Sequence, residues 1–191
     1  MKLPEPVVKT PAHKAVKAAV AQLDVGKVRS LCLLGDSEDV CAPFVAFHLV
    51  NSMVSGNPYG GPWCDMDAPS MGIPDQKQME CVEKAAVVVF YKAHGYVDIL
   101  SLQDFVTVVL SRHARGLQTI ITTRHRNLGD VCNWLVGSGL AHARVSQLFD
   151  LFTRPDAVAV SIQEPPRVSD APPAALPAHA FGPAPIRLLG D

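Results

Sequence analysis

Seven consecutive apolar residues, Ala85-Ala86-Val87-Val88-Val89-Phe90-Tyr91, constrain this chain more than any other stretch. β-Branched and aromatic side chains at successive positions pack well on a pleated strand. A strand that is apolar on both faces needs cover above and below, which helices supply when crossovers join parallel strands. The run Leu31-Cys32-Leu33-Leu34, inside an expected strand over 28–34, has the same character. A third central strand is expected over 118–123 and a last one over 157–162.

Between these runs the hydrophobic spacing changes to that of helices. Val16, Ala19, Val20 and Leu23 recur at i, i+3, i+4 and i+7, which predicts an amphipathic helix over 12–23 closed by a turn at Gly26. Ser37 can cap the next helix, with Glu38 and Asp39 in its first turn and an apolar body over 42–54. Residues 57–74, rich in Gly and Pro, read as an irregular surface loop with one short strand around 63–66. Helices follow over 76–84 and over 100–115, the latter with Leu102, Phe105, Val106, Val109 and Leu110 on one face and Gly116 ending it. Two more are expected over 127–136 and 141–152. Right-handed crossovers fold such an order into an α/β three-layer sandwich with a mainly parallel central sheet.

Composition removes several functions. Lys and Arg number 17 against 18 Asp and Glu, a net charge of −1, so binding of nucleic acid would have to come from local basic patches. Residues 1–9 hold no positively charged lead with an apolar block behind it, and no window of about eighteen apolar residues occurs, so neither secretion nor a membrane span is expected. The five cysteines, Cys32, Cys41, Cys64, Cys81 and Cys132, form no C-x-x-C pair. That pattern suits reduced thiols in a cytoplasmic, reducing compartment and predicts no metal site.

The first strand, its glycine and the next helix stand where nucleotide-binding folds carry G-x-x-x-x-G-K-[ST], whose amides cradle phosphates while the Lys and the hydroxyl serve the γ-phosphate and Mg²⁺. Here the segment reads Gly35-Asp36-Ser37-Glu38-Asp39-Val40-Cys41-Ala42. Val40 replaces the second glycine, Cys41 the lysine and Ala42 the hydroxyl. Asp36, Glu38 and Asp39 also place carboxylates where a triphosphate needs positive charge, which costs on the order of 1 kcal/mol or more per close pair. The strand over 85–91 should end in acids that hold Mg²⁺, but it runs into Tyr91-Lys92. Two separate chemical sites are therefore erased, and we expect neither a cofactor nor hydrolysis. The organisation is then an N-terminal helical segment over 1–26, a P-loop NTPase-like α/β domain over 27–163, and a tail over 164–191 with seven prolines, expected to be disordered or extended.

An apolar strand from Val87, a spacer, a long helix ending in Ser111-Arg112-His113-Ala114-Arg115-Gly116, and then Gln118-Thr119-Ile120-Ile121-Thr122-Thr123 resemble the core of the AAA+ helicase-loader and replication-initiator ATPases. In this resemblance Arg124 stands in place of a polar sensor asparagine. Arg144, just before an apolar stretch over 145–149, is similar to an arginine that reaches a neighbouring subunit's nucleotide. A RecA-like relative without its phosphate-binding residues fits the same pattern, and both imply assembly with other protein subunits, homo- or hetero-oligomeric.

Arginines offered to a partner or nucleic acid are Arg112, Arg115, Arg124, Arg126 and Arg144, of which Arg124 and Arg126 fall at the carboxyl edge of the sheet, where open α/β folds bind ligands. Gln147-Leu148-Phe149-Asp150-Leu151-Phe152 resembles peptides that dock on sliding clamps, but its apolar groups read as the packed side of a helix. The expected function is that of a pseudo-ATPase scaffold or adaptor in a DNA replication or recombination assembly. The alternatives are a structural subunit of a viral or organellar particle, or an enzyme using Cys41 or Ser37 on the same sheet.

Overall fold

A computed structural model describes residues 4–24, 26–35, 38–53, 61–65, 76–95 and 99–162. The readings for Asp36, Ser37, most of the loop over 57–74 and the tail over 164–191 lie outside these residues. Thr10 accepts the His13 N–H on its hydroxyl at 3.2 Å and Pro11 opens α1, Pro11–Asp24, a start that suits a residue without an N–H to satisfy. The helix ends in Gly26, whose φ of 69° lets its N–H turn back to the Leu23 carbonyl at 3.0 Å.

Five strands follow among the described residues: β1, Ser30–Leu34; β2, Trp63–Asp65; β3, Val87–Tyr91; β4, Gln118–Thr123; and β5, Ala157–Ser161. They form one sheet in the order β2-β3-β4-β1-β5, and every neighbouring pair is parallel. The helices between them are α2, Glu38–Met53; α3, Gln76–Lys84; α4, Ile99–Ala114; α5, Leu128–Gly137; and α6, His142–Leu151. A 3-10 turn over Ala93–Gly95 follows β3.

Alternate residues of the strands feed two cores. Leu31, Leu33, Val87, Val89 and Ile120 face α1 and α2, where they meet Val16, Val20, Phe44 and Val45. Cys32, Leu34, Val88, Phe90 and Ile121 face the other way, onto Leu102 and Val106 of α4, Leu135 of α5 and Leu148 of α6. Each aliphatic or aromatic side chain so buried contributes about 1.5–3 kcal/mol, which is why β3 is apolar at every position and β1 at every position after Ser30. Layers of α1 and α2, sheet, and α3 to α6 make the three-layer α/β sandwich, with α1 sharing the core of β1 and α2.

Candidate functional site at the carboxyl edge of the sheet

β1 sits between β4 and β5, with Leu34 level with Thr123 on one side and Ser161 on the other. The chain leaves β1 for α2 on one face and leaves β4 for α5 on the opposite face. Open α/β sheets bind ligands at such a divergence, so the crevice past Leu34 and Thr123 is the candidate site.

Gly35 shapes this crevice. Its φ is 76°, its N–H donates to the His125 carbonyl at 2.7 Å, and a Cβ here would stand 2.8 Å from the Ile162 carbonyl oxygen. Ile162 in turn donates its N–H to the Leu34 carbonyl at 2.7 Å. The ends of β1, β4 and β5 are thus tied by backbone, leaving room for glycine alone.

The positions that ought to serve a phosphate lie elsewhere. Val40 is buried, Cys41 is 0% exposed and Ala42 packs half-buried against the same core. Their side chains build the α2–sheet contact. Tyr91 is buried at the end of β3 with its ring 4.8 Å from that of Trp63. Lys92 takes a left-handed φ of 56°, donates its N–H to the Thr122 hydroxyl at 3.0 Å and holds its ammonium 5.5 Å from the Tyr91 ring centroid, a cation–π contact.

Above the end of β4, Arg124 and Arg126 are exposed. Arg124 donates its N–H to His94 Nδ1 at 3.2 Å, and the Ser161 hydroxyl donates to the Arg126 carbonyl at 3.1 Å. His125 lies between, its ring centroid 5.3 Å from that of Trp134 and 6.4 Å from that of His94. Burial and then Arg124 hold its imidazole below the usual value, partly offset by Asp130. Its Nε2 is buried and makes no hydrogen bond. Asn127 caps α5 by accepting the Asp130 N–H at 2.8 Å.

The other arginines are dispersed. Arg144 is exposed in the first turn of α6, where it donates to the Gln147 side-chain oxygen at 3.3 Å. Arg115 is exposed at the opposite, amino edge of the sheet and donates to the Glu83 carbonyl at 3.0 Å. Arg112 corrects the sequence expectation, because it is 0% exposed and closed to any partner. Its guanidinium donates to the Thr119 hydroxyl at 3.1 Å, to the Gln118 carbonyl at 2.6 Å and to the Val82 carbonyl, filling the gap between α3, α4 and β4. The clamp-like hexapeptide is spent on packing, with Leu148, Leu151 and Phe152 buried and Phe149 exposed.

Sequence reasoning missed one constellation. Ser30 Oγ lies 3.0 Å from His113 Nδ1, and His113 Nε2 lies 3.5 Å from an Asp156 carboxylate oxygen. These are the groups of a nucleophile, base and acid series, but Ser30 is 0% exposed and no substrate reaches it. The series instead ties β1 to the end of α4 and the turn before β5, helped by Arg29 and Ser30, whose N–H groups both donate to the Asp156 carbonyl. Three residues this far apart in sequence leave no local signature. Burial also pushes the Cys32 and Cys64 thiols up to about 12 and about 11, the latter slightly offset by Arg112, so neither is an activated nucleophile. No described helix is long and apolar enough to cross a membrane. No protein-family model matches this chain, and no curated protein matches it in sequence.

Proposed function

We propose that this chain is a non-hydrolysing subunit on a nucleotide-binding skeleton, acting as a scaffold or adaptor in an assembly that handles DNA. The observation that carries the reading is the burial of Val40 and Cys41, the positions that would have to be an open glycine and a lysine for a triphosphate to bind. A side chain at 0% exposure is in no position to touch a phosphate, so restoring the chemistry would require refolding the start of α2. The same burial speaks against an enzyme that uses the Cys41 thiol. Arg124, Arg126 and Arg144 remain exposed for subunits or nucleic acid, whereas Arg112 belongs to the core.

Titration with a fluorescent ATP analogue in Mg²⁺ tests this reading. No saturable binding at millimolar concentration is expected, and micromolar affinity with Mg²⁺-dependent turnover would overturn it. Light scattering on the purified chain alone and with DNA gives the second arm. A monomer that engages neither a copy of itself nor DNA contradicts the scaffold role.

A further inference from the structure

We infer that the amino edge of the sheet, opposite the candidate crevice, is a binding surface for the phosphodiester backbone of a nucleic acid. Four adjacent strands, β3, β4, β1 and β5, are each entered through a turn that carries cations. Lys84 stands three residues before β3, Arg115 three before β4, Lys27 and Arg29 three and one before β1, and Arg154 three before β5. Because Val87 is level with Gln118, and Ser30 is level with Thr119 and next to Ala157, these turns line up across the sheet. Neighbouring strands lie about 4.8 Å apart, so the row is continuous.

All five cations are exposed. Lys84 is paired with Glu80 at 2.5 Å, but the others are weakly engaged. Arg115 reaches only the Glu83 carbonyl, Arg29 lies 4.0 Å from Asp156 and folds over Gly116, and the Arg154 guanidinium has no hydrogen-bond or ion-pair partner among the described residues. Lys27, Arg29, Arg115 and Arg154, set against Asp24, Glu83 and Asp156, leave a local surplus of one positive charge on a chain whose net charge is −1. Such a concentration of charge on one edge gives a local attraction for a polyanion that the whole-chain balance conceals.

The chemistry of the edge favours phosphate over an acidic protein. Arginine presents a planar fork that binds phosphate oxygens in pairs. Protein interfaces instead rely on buried aromatic or aliphatic anchors. The exposed large apolar residues among those described are Val7, Val8 and Phe149, none of which lies in the turns of this edge. Phosphate contacts carry no sequence information, so binding here is non-specific and strongly salt-dependent. The inference rests on the charges and topology alone. A chain that bound MgATP would overturn the proposed function and leave this surface standing.

Anisotropy of a fluorescein-labelled single-stranded oligonucleotide of about 20 nucleotides, measured between about 50 and 200 mM salt, is the test. Removing two contacts in the Arg115→Ala/Arg154→Ala variant should weaken binding about tenfold or more at the lowest salt and flatten the plot of log affinity against log salt by about 1.4. Arg154→Ala alone, which breaks no bond, should give about half that change in slope. The control is Lys9→Ala/Lys14→Ala, which removes the same charge far from this edge and should leave binding as it was. Absence of binding at low salt, an equal loss in the control, or displacement by polyglutamate at matched charge concentration would each refute a phosphate surface.

Discussion

Among single residues, Arg112 has the most to lose. It is the largest fully buried side chain among the described residues, and burial lowers its pKa only to about 10, with Arg115 adding to the shift, so it stays charged at neutral pH. Arg112→Met should strand the Val82 and Gln118 carbonyls, and at about 1–3 kcal/mol per unsatisfied group the loss in urea denaturation should be about 2–6 kcal/mol. An unchanged midpoint would mean that the three bonds contribute nothing. Gly35→Ala brings a methyl 2.8 Å from the Ile162 oxygen at a positive φ, and should lower the unfolding temperature by an amount equivalent to about 1–3 kcal/mol. His113 is held below its ordinary value by burial first and by Arg154 and Arg29 besides, against the pull of Asp156. A histidine with a depressed folded pKa supports the fold above its unfolded value, near 6.5, and withdraws that support as pH falls through the folded one. Stability should therefore fall as the pH drops below about 6.5, and His113→Gln should flatten that slope. His125 is shifted in the same direction, so a double variant with His125→Gln should flatten it further.

At the level of elements, much was legible from the sequence. β1 and β3 announced themselves as short runs buried on both faces, and Gly26 and Gly116 marked the turns that close α1 and α4, because these signals are local. Register is not local. Nothing in the residues of β1 says that it lies between β4 and β5, and that placement creates the crevice at Gly35. The left-handed Lys92 and the 3-10 turn after it were equally hidden, since a lysine at the end of an apolar strand gives no sign of a positive φ. Arg112 looked like the basic end of an amphipathic helix, but the carbonyls at the end of α3 and the start of β4 need a donor, and its long stem reaches them. The sequence itself shows Val40, Cys41 and Ala42 in place of a glycine, a lysine and a hydroxyl, while the burial of Val40 and Cys41 needed the fold. One consequence can be measured at this scale: Cys41→Lys puts an ammonium where exposure is 0%, and should cost about 2 kcal/mol or more, about 4–8 °C in unfolding temperature, without gaining affinity for ATP.

Taken as a whole molecule, the sandwich has two chemically different ends. At the carboxyl edge, backbone hydrogen bonds tie Gly35 to His125 and Ile162 to Leu34, and Arg124 and Arg126 are exposed beyond β4. At the amino edge, strand order gathers cations that are far apart in the sequence into one row. The proposed scaffold role rests on the parallel sheet together with the burial of Val40 and Cys41. The most direct measurement is a titration of the isotopically labelled chain with MgATP, following the backbone amide resonances of Gly35, Val40, Cys41, Ala42 and Lys92. These five signals should stay within the small, unsaturable drift that ionic strength alone produces. Saturable shifts at Gly35 and Ala42 at micromolar nucleotide would contradict the account, for they would place a triphosphate at the start of α2.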